Sequence, residues 1–382
     1  MECNHKVPSN KGEIMGCFII HPIILQEIEK NGNEQQKKDA QRAMQSIISI
    51  RGRKLAQHGQ VKLPTLAATL KPPLRRKVCD SRGSGSLPGM IKREEGQAAT
   101  GDKDVDAAFD LSGDAYTLFE KVLQRKSIDN NGMPLVSSVH YIEPGEQFYN
   151  NASWFDNQMI YGDADPNVFT TVLLRTVAAH EMGHGVVHFE GGLVYSNDTG
   201  AMNEHFADVF GILAEQFFKK QDVNQSNWLI GEGIWAKNIK GKALRSMSNP
   251  GTAYDDSLVG KDIQPDHMDK YLRLPNTPDG DWGGVHINSG IPNCAFYKAS
   301  KYIGGNAWET TGLIWYAALR SLPGKPSNTT FQDLANVTTE IARRLFEGEP
   351  EKQDALHKAW TEVGLQPKIL NGTEFINSLI SS

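Results

Sequence analysis

Residues 180–184, His-Glu-Met-Gly-His, constrain the fold of this 382-residue chain more than any other stretch. On an α-helix, residues four apart lie one above the other on the same face, so His180 and His184 can both reach one metal ion. Glu181 follows the first histidine and can act on a water molecule beside that metal. Residues 172–187 are largely apolar and contain no proline, which predicts a buried helix around the motif.

The motif is typical of a zinc site in which the glutamate serves as a general base, and such a site needs a third protein ligand. Glu204 lies 20 residues after His184, and Asp208 lies four residues after Glu204 on the same helical face. Glu204 can therefore ligate the metal while Asp208 accepts a hydrogen bond from a ligand imidazole and fixes its tautomer. The alternative for this pair is a solvated helix face.

Composition excludes several classes of protein. The chain is 39% hydrophobic and 22% charged, as in globular proteins, and its net charge of −5 gives no sign of nucleic-acid binding. No apolar run is long enough to predict a membrane span. The four cysteines are scattered, which favours free thiols. The N-terminus lacks the features of a signal peptide, so we expect a cytoplasmic location or secretion by a non-classical route. Met15 is an alternative start.

Periodicity divides the chain. Residues 34–50 predict an amphipathic helix, and a basic, proline- and glycine-rich connector follows from Lys71 to Gly89. Residues 102–128 predict a second helix, and residues 135–142 and 158–161 predict strands. After the histidine motif, helical patterns dominate, at residues 200–219, 287–303, 307–321, 330–346 and 350–363. This asymmetry indicates two lobes that meet near the HExxH helix.

Four stretches in order, HEMGH, LVYSNDTGAMNEHFADVFG, RSMSNP and DWGGVHINSGIPN, resemble the thermolysin family of zinc endopeptidases. The competing zincin pattern HExxHxxGxxH fails, because residues 187 and 190 are valine and glutamate. The resemblance implies an α+β, thermolysin-like two-lobe fold, with a strand-containing N-terminal lobe and a helical C-terminal lobe joined by the central HExxH helix. Residues 1–75 would form a short inhibitory propeptide and connector, residues 76–189 the N-terminal lobe and residues 190–382 the C-terminal lobe.

The resemblance also implies roles for individual residues. A set of two histidines and one glutamate is the known ligand set of thermolysin, and His180, His184 and Glu204 match it. Glu181 would deprotonate the attacking water. Tyr195 and His286 would stabilise the oxyanion, and Asp281 would orient His286.

Substrate binding is implied for a second set of residues. Residues 149–154 resemble the edge strand that pairs with an extended peptide. Asn151 would bond the substrate backbone, the Ala152 carbonyl would accept a substrate amide, and Arg245 would bind a carbonyl on the leaving side. The pocket after the cleaved bond would be lined by apolar residues, which predicts cleavage on the N-terminal side of bulky hydrophobic residues. The lining residues are Val177, Ile230, Ile234 and Leu244.

The chain departs from the family at the calcium sites. Thermolysin has a double calcium site, and two of the expected carboxylate positions are Thr176 and Leu229 here. Glu215 and Glu232 remain. Calcium prefers six to eight oxygen ligands, so we expect an incomplete double site, with a single weakly bound ion left open.

The first 70 residues resemble the short propeptide of the protealysin-like branch, through residues 17–22, Cys-Phe-Ile-Ile-His-Pro. This implies a precursor that removes its own inhibitory propeptide by cleavage near Lys71–Asp80. A cysteine switch through Cys17 or Cys79 is an alternative without support from spacing. The expected partners are an extended peptide and the chain's own propeptide, and we expect a monomer.

Two other functions stay open at this point. A catalytically silent binding protein could use the same fold, although Glu181, Tyr195 and His286 are all present. An exopeptidase that trims N-termini is the second alternative.

Overall fold

A computed structural model describes residues 17–56, 73–143, 145–190, 192–322 and 328–368 of the chain. Part of the expected connector, residues 71 and 72, lies outside these ranges, as does Met15. Among the helices of the described residues, none is both long and apolar enough to cross a membrane.

The N-terminal segment, which we define as residues 17–56, contains one short strand and two helices. They are β1 (Cys17–Phe18), α1 (Pro22–Asn31) and α2 (Glu34–Ala56). Helix α1 begins at a proline, whose fixed φ suits the first helical turn. Ile24, Leu25 and Ile28 are buried on one face of α1, so this helix packs against the rest of the molecule.

A six-stranded sheet forms the core of the N-terminal lobe. Its other strands are β2 (Arg76–Ser84), β3 (Met90–Glu94), β4 (Leu135–Tyr141), β5 (Ala152–Phe155) and β6 (Gln158–Gly162). The spatial order is β1-β5-β6-β4-β2-β3. Strands β2, β4 and β6 run parallel, whereas β5 is antiparallel to both β6 and β1. The edge next to β5 is therefore covered by the N-terminal segment.

Three helices connect this sheet to the second lobe: α3 (Lys103–Lys121), α4 (Arg175–Glu190) and α5 (Asn197–Lys219). Helix α4 carries the histidine motif and packs between the sheet and α5. Gly183 allows the close approach of α5, because a Cβ at this position would lie 2.9 Å from the Phe210 ring and 3.1 Å from the Ala207 Cα. This spacing brings the histidines of α4 beside the polar face of α5.

The C-terminal lobe is mainly helical. Its α-helices are α6 (Asp281–Asn288), α7 (Gly290–Ile303), α8 (Thr311–Ser321), α9 (Phe331–Leu345) and α10 (Pro350–Thr361). Short 3-10 helices lie at Met268–Lys270, Pro278–Gly280 and Ala307–Glu309. Two small hairpins pair β7 (Leu229–Ile230) with β8 (Arg245–Ser246) and β9 (Asp255–Asp256) with β10 (Gly260–Lys261).

The predicted α+β two-lobe architecture is confirmed, but several local predictions are wrong. The helix predicted over 102–128 ends at Lys121, because Gln124 and Ser127 adopt positive φ. The helix predicted over 287–303 is two helices that meet at Ser289, and the helix predicted over 307–321 begins with a 3-10 turn.

The prediction of an exposed connector from Lys71 to Gly89 is also partly wrong. Its second half forms β2, which pairs with β4 on one side and β3 on the other. The Arg76 guanidinium lies 3.8 Å from the centre of the Phe109 ring and pairs with Glu95, and Val78 and Cys79 are buried. Cleavage between residues 76 and 80 would therefore cut an interior strand, whereas Pro73 and Arg75, just before β2, are exposed.

Candidate active site

Helix α4 presents two imidazoles whose outer nitrogens face each other. His180 Nδ1 lies 2.8 Å from Asp208 Oδ1, and His184 Nδ1 lies 2.8 Å from Asn203 Oδ1. Since the carboxylate and the amide oxygen are acceptors, each Nδ1 carries the proton and each Nε2 keeps its lone pair. The two Nε2 atoms are 3.0 Å apart. Burial lowers the pKa of His184 to about 3, so this imidazole is neutral, as a metal ligand must be.

Glu204 completes the donor set from helix α5. Its Oε2 lies 3.5 Å from His180 Nε2, and its Oε1 lies 3.5 Å from His184 Nε2. The side chain is fully buried, and Oε2 has no hydrogen-bond partner among the residues that the structure describes. Burial opposes the charge, but His286 and the two other imidazoles lower the pKa of Glu204. Two imidazole nitrogens and one buried carboxylate around a common point fit a zinc ion.

Glu181 lies beside this cluster with one free oxygen. Its Oε2 accepts a hydrogen bond from the backbone N–H of Trp154 at 2.9 Å. Its Oε1 is buried and finds no partner in the described part of the chain. Burial, followed by the charge of Glu204, raises the pKa of Glu181 well above its usual value. The carboxylate is therefore a stronger base than a solvated glutamate and is held by the strand that borders the cleft.

Two donors approach the cluster from the C-terminal lobe. The Tyr195 hydroxyl donates to Glu204 and lies 3.1 Å from His286 Nε2. His286 Nδ1 lies 2.6 Å from Asp281 Oδ1, and its backbone N–H donates to Oδ2 of the same carboxylate at 2.8 Å. Burial opposes protonation, but Asp281 and Glu204 raise the pKa of His286. Burial and Glu204 raise that of Tyr195, so its hydroxyl keeps its proton.

The turn before His286 depends on glycine. Trp282, Gly283 and Gly284 adopt positive φ, and a Cβ on Gly283 would lie 2.3 Å from Asn197 Oδ1. Only glycine fits this close approach without moving the neighbouring chain. The turn therefore fixes the position of His286 above the cluster.

Asp208 joins the metal ligands to Arg245. Its Oδ1 accepts from Arg245 Nη2 at 2.8 Å, and its Oδ2 accepts from Arg245 Nε at 2.9 Å and from Asn293 Nδ2 at 2.8 Å. Burial opposes the charge, yet Arg245 and His180 lower the pKa of Asp208, so it is a carboxylate. Arg245 is only 1% exposed, and its Nη1 has no partner within the described ranges.

The predicted substrate strand already binds a peptide, and that peptide is the chain's own N-terminal segment. Ile19 N–H donates to the Ala152 carbonyl at 3.1 Å, and Ile20 N–H donates to Asn151 Oδ1 at 3.0 Å. The Phe18 carbonyl oxygen lies 3.0 Å from His286 Nε2. Residues 17 and 18 therefore lie as a strand across the front of the cluster, and the chain bends at Ile19 and Ile20 while their N–H groups stay bonded to Ala152 and Asn151.

Models of two domains match the part of the chain that follows the N-terminal segment. The thermolysin metallopeptidase catalytic domain matches residues 65–188, and the thermolysin metallopeptidase alpha-helical domain matches residues 191–365.

The chain belongs to the thermolysin metallopeptidase family. An extracellular metalloprotease of Pectobacterium carotovorum is 40% identical over 92% of this chain and 96% of its own length. Protease PrtS of a Photorhabdus strain is 39% identical over 92% of each chain. The precursor of protealysin, a metalloproteinase from Serratia proteamaculans, superposes with a TM-score of 0.78 at 40% identity and covers 91% of this chain and 99% of its own. The predicted resemblance to the protealysin-like branch is thus confirmed.

One prediction is contradicted by these relatives of the thermolysin family. We expected a cytoplasmic location or secretion by a non-classical route. The relatives from Pectobacterium carotovorum and Serratia marcescens are named as extracellular metalloproteases, so that expectation is wrong.

At two of the positions where the resemblance predicted calcium ligands, Glu215 and Thr176, the side chains form ion pairs or hydrogen bonds with other protein groups. Glu215 pairs with Arg175 at 2.9 Å and with Lys219 at 2.5 Å. The Thr176 hydroxyl accepts from the Gly231 N–H at 3.0 Å, and Glu232 is exposed. Of the two carboxylates that the resemblance left for calcium, Glu215 is therefore bound by two cationic side chains.

Sequence analysis missed several residues of the site. Asn203, which bonds His184, directly precedes Glu204, and Asn293, which bonds Asp208, lies in the DWGGVHINSGIPN stretch. Asparagine has too many common roles in helices for spacing to single these two out. The four predicted pocket residues are all buried in the main hydrophobic core, which extends through both lobes and also contains Ile19. They are Val177, Ile230, Ile234 and Leu244.

A second group of potential ligands, also missed, lies in the N-terminal lobe. Asp102, Asp104 and His140 are close together and partly exposed. His140 Nδ1 lies 2.8 Å from Asp163 and its Nε2 3.2 Å from Asp102. Burial opposes protonation, but the hydrogen bond and charge of Asp163 raise the pKa of His140. Both ring nitrogens are therefore used in an ion-pair cluster.

Proposed function

We propose that this metallopeptidase is made as an inhibited precursor of a zinc endopeptidase that cleaves on the N-terminal side of bulky hydrophobic residues. The observation that carries the proposal is the path of residues 17–20, which begin antiparallel to β5, pass His286 and continue through backbone N–H bonds to Ala152 and Asn151. A site that binds an internal stretch of chain in this way accepts peptides that continue in both directions. This favours an endopeptidase over an exopeptidase.

The metal site supports hydrolysis. His180, His184 and Glu204 would hold zinc, which when bound polarises a carbonyl and lowers the pKa of water. Glu181 is the general base, because its free Oε1 is buried beside the ligands and its other oxygen is fixed by Trp154. A proton taken up by Glu181 can then pass to the leaving amine.

Tyr195 and His286 stabilise the charge that develops on the carbonyl oxygen. In the described chain, His286 Nε2 already lies within hydrogen-bond distance of the Phe18 carbonyl oxygen, where a substrate carbonyl would lie. Asp281 orients His286, and Asp208 orients both His180 and Arg245. The remaining Nη1 of Arg245 is available for a substrate carbonyl.

The preference for the residue after the cleaved bond is inferred from Ile19, which follows the Phe18 carbonyl. Ile19 is fully buried, and its N–H is held by Ala152. A branched apolar side chain at this position fits a pocket of Val177, Ile230, Ile234 and Leu244, since each is buried and apolar. We therefore expect leucine, isoleucine or phenylalanine after the cleaved bond.

The N-terminal segment acts as the inhibitor, since it pairs with β5, where a substrate would pair, and contacts His286, the donor that would bind the oxyanion. We infer that residues 1–75 are the propeptide and connector, removed by self-cleavage before β2. The names of the relatives favour action outside the cell. The precursor structure that matches 91% of this chain supports the same organisation.

The test uses two internally quenched peptides of the same sequence with a central leucine, one with both termini blocked and one with both free. Zinc-loaded processed protein should cut both between the same two residues. The Glu181→Ala variant should lose this activity, whereas Glu351→Ala, at an exposed site in α10, should keep it. Equal activity of wild type and Glu181→Ala would contradict the proposal, and cleavage only of the free peptide would indicate an exopeptidase.

A further inference from the structure

One peptide bond of the N-terminal segment lies where a substrate's reacting bond would lie. The Phe18 carbonyl oxygen is 3.0 Å from His286 Nε2. That nitrogen is 3.4 Å from Glu204 Oε1 and 3.1 Å from the Tyr195 hydroxyl. The carbonyl oxygen therefore lies beside one of the two groups that would stabilise an oxyanion, and that group borders both the other one and a ligand of the proposed metal site.

The groups on either side of this carbonyl are anchored as well. Strand β1 pairs with β5 in an antiparallel register, with Cys17 opposite Trp154 and Phe18 opposite Ser153. On the other side, the N–H of Ile19 donates to Ala152 at 3.1 Å. The bond between Phe18 and Ile19 is thus held from both ends, as productive alignment of a reacting bond requires.

The direction in which the N-terminal segment runs also places the Phe18 carbonyl near Glu181, the proposed general base. Glu181 Oε2 is bonded to the N–H of Trp154, and Trp154 pairs with Cys17, next to Phe18. Ile20 continues the pairing through Asn151 Oδ1 at 3.0 Å. This arrangement resembles a bound substrate in direction and register, rather than a chain that blocks the cleft in a reversed orientation.

We propose that the Phe18–Ile19 bond is itself a processing site, cut by the chain's own active site while the N-terminal segment is still attached; this rests on the proposed function. The oxygen of water bonds to the Phe18 carbonyl carbon, and the C–N bond to Ile19 breaks. The proton that Glu181 takes from water goes to the Ile19 nitrogen. The second proton of water follows through the same carboxylate, so the products are a carboxylate at Phe18 and a protonated amine at Ile19.

The cut has a defined structural consequence. Residues 1–18 would leave, and with them the pairing of β1 with β5 and the contact of Phe18 with His286. Helix α1 would stay docked, since Gln26 Nε2 donates to the Asp279 carbonyl at 2.9 Å and Ile24 and Ile28 remain buried. Removal of the inhibitor would therefore have two steps, of which the Phe18–Ile19 cut is the first and release of the rest is the second.

The experiment follows the full-length precursor by intact mass after zinc is added. A species that spans residues 19–382 should appear before the product that lacks the whole segment. Only a cut made before cleavage of the connector yields this species, because trimming of a released propeptide gives a short peptide instead. Its rate of formation should not depend on protein concentration.

Matched variants sharpen this test. Ile19→Asp places a charge in the apolar pocket and should abolish the 19–382 species. Ile48→Asp makes the same change at an exposed position of α2 and should leave it. Glu181→Gln should remain at full length.

A second readout does not depend on turnover. In the Glu181→Gln precursor with ¹³C-labelled phenylalanine carbonyls, zinc should shift the Phe18 resonance, while that of the exposed Phe189 stays in place.

An unshifted Phe18 signal in zinc-loaded protein would overturn the proposal. So would loss of the whole segment without any 19–382 species, or a rate that rises with concentration. If wild type neither processes itself nor cuts the quenched peptides, the proposed function fails instead.

Discussion

Two contacts of the molecule differ in how well their polar groups are satisfied, one around His180 and Glu204 and one between the N-terminal segment and the N-terminal lobe. On the side of α4, α5 and α6, each zinc-site imidazole has a partner for its second nitrogen, and Asp208 accepts four hydrogen bonds. Where α2 meets residues 143 and 145–147, acidic groups face each other. Asp39 Oδ2 and Glu146 Oε2 are buried there without partners in the described residues.

The difference indicates that one contact is permanent and the other is suited to removal. The groups around Asp39 and Glu146 are Glu143 and Asp165, which add negative charge, and Arg42, which donates to the Gly145 carbonyl. Ser46 donates to Glu146 at 3.2 Å. Two carboxyls in this setting bind most tightly when protonated. The N-terminal segment is thus held by a weaker polar contact than the metal ligands are.

The largest effect should come from the oxyanion donor. His286→Ala removes one donor and should lower kcat by about 100-fold to 1,000-fold. Because His286 lies next to the ligands without belonging to them, zinc content should not change. Hydrolysis of the quenched peptide and metal analysis check this. The matched variant His357→Ala, at an exposed position of α10, should keep full activity. A kcat loss below about threefold in His286→Ala would contradict the assigned role.

The next largest effect should be on stability. Asp208→Ala leaves Arg245 buried without its carboxylate, so the free energy of unfolding should fall by about 3–5 kcal/mol. Asp266→Ala breaks the exposed pair with Lys270, which should cost less than about 1 kcal/mol. Urea denaturation of the two zinc-saturated variants measures both changes. Equal losses of unfolding free energy in the two variants would contradict the idea that the polar contacts of Asp208 stabilise the site.

A smaller effect should appear in the pH dependence of docking. Burial, followed by the charges of Glu143 and Asp39, raises the pKa of Glu146 to about 7, whereas the released carboxyl should titrate near its ordinary 4.5. The docked state therefore binds more protons, and docking should weaken as pH rises from 4.5 to 7. Because Glu146 is only half-buried, we expect about tenfold weaker docking at pH 8 than at pH 4.5.

Hydrogen exchange of α2 amides in the Glu181→Gln background measures this docking. Glu146→Gln should remove the pH dependence, whereas Glu34→Gln, at an exposed position of the same helix, should retain it. An unchanged pH dependence in Glu146→Gln would show that this carboxyl does not control release.

How much of this could be predicted from the sequence depends on the range of the interactions. The HEMGH spacing and the pair Glu204 and Asp208 predicted two helices that converge on one point, because each pattern is local to one helix. Strands β2 and β3 were missed, since residues 76–94 are polar and glycine-rich and the pairing of β2 with β4, which places both strands in the sheet, is long-range. The break at Ser289 was missed because apolar residues continue through it.

The smallest effect should be that of calcium. Glu215 is already paired with Arg175 and Lys219, so added calcium should change the melting temperature of zinc-saturated protein by less than about 1 °C. Thermal unfolding with and without millimolar calcium checks this. A rise of several degrees would show that the ion displaces these cations and binds the carboxylate.

The most direct test of the central claim is anomalous diffraction at the zinc edge from crystals of the zinc-loaded Glu181→Gln precursor. The account predicts one zinc ion about 2.0–2.2 Å from His180 Nε2, His184 Nε2 and a Glu204 oxygen, with residues 17–20 paired to β5. Zinc bound elsewhere, or a Glu204 carboxylate turned away from both imidazoles, would contradict it.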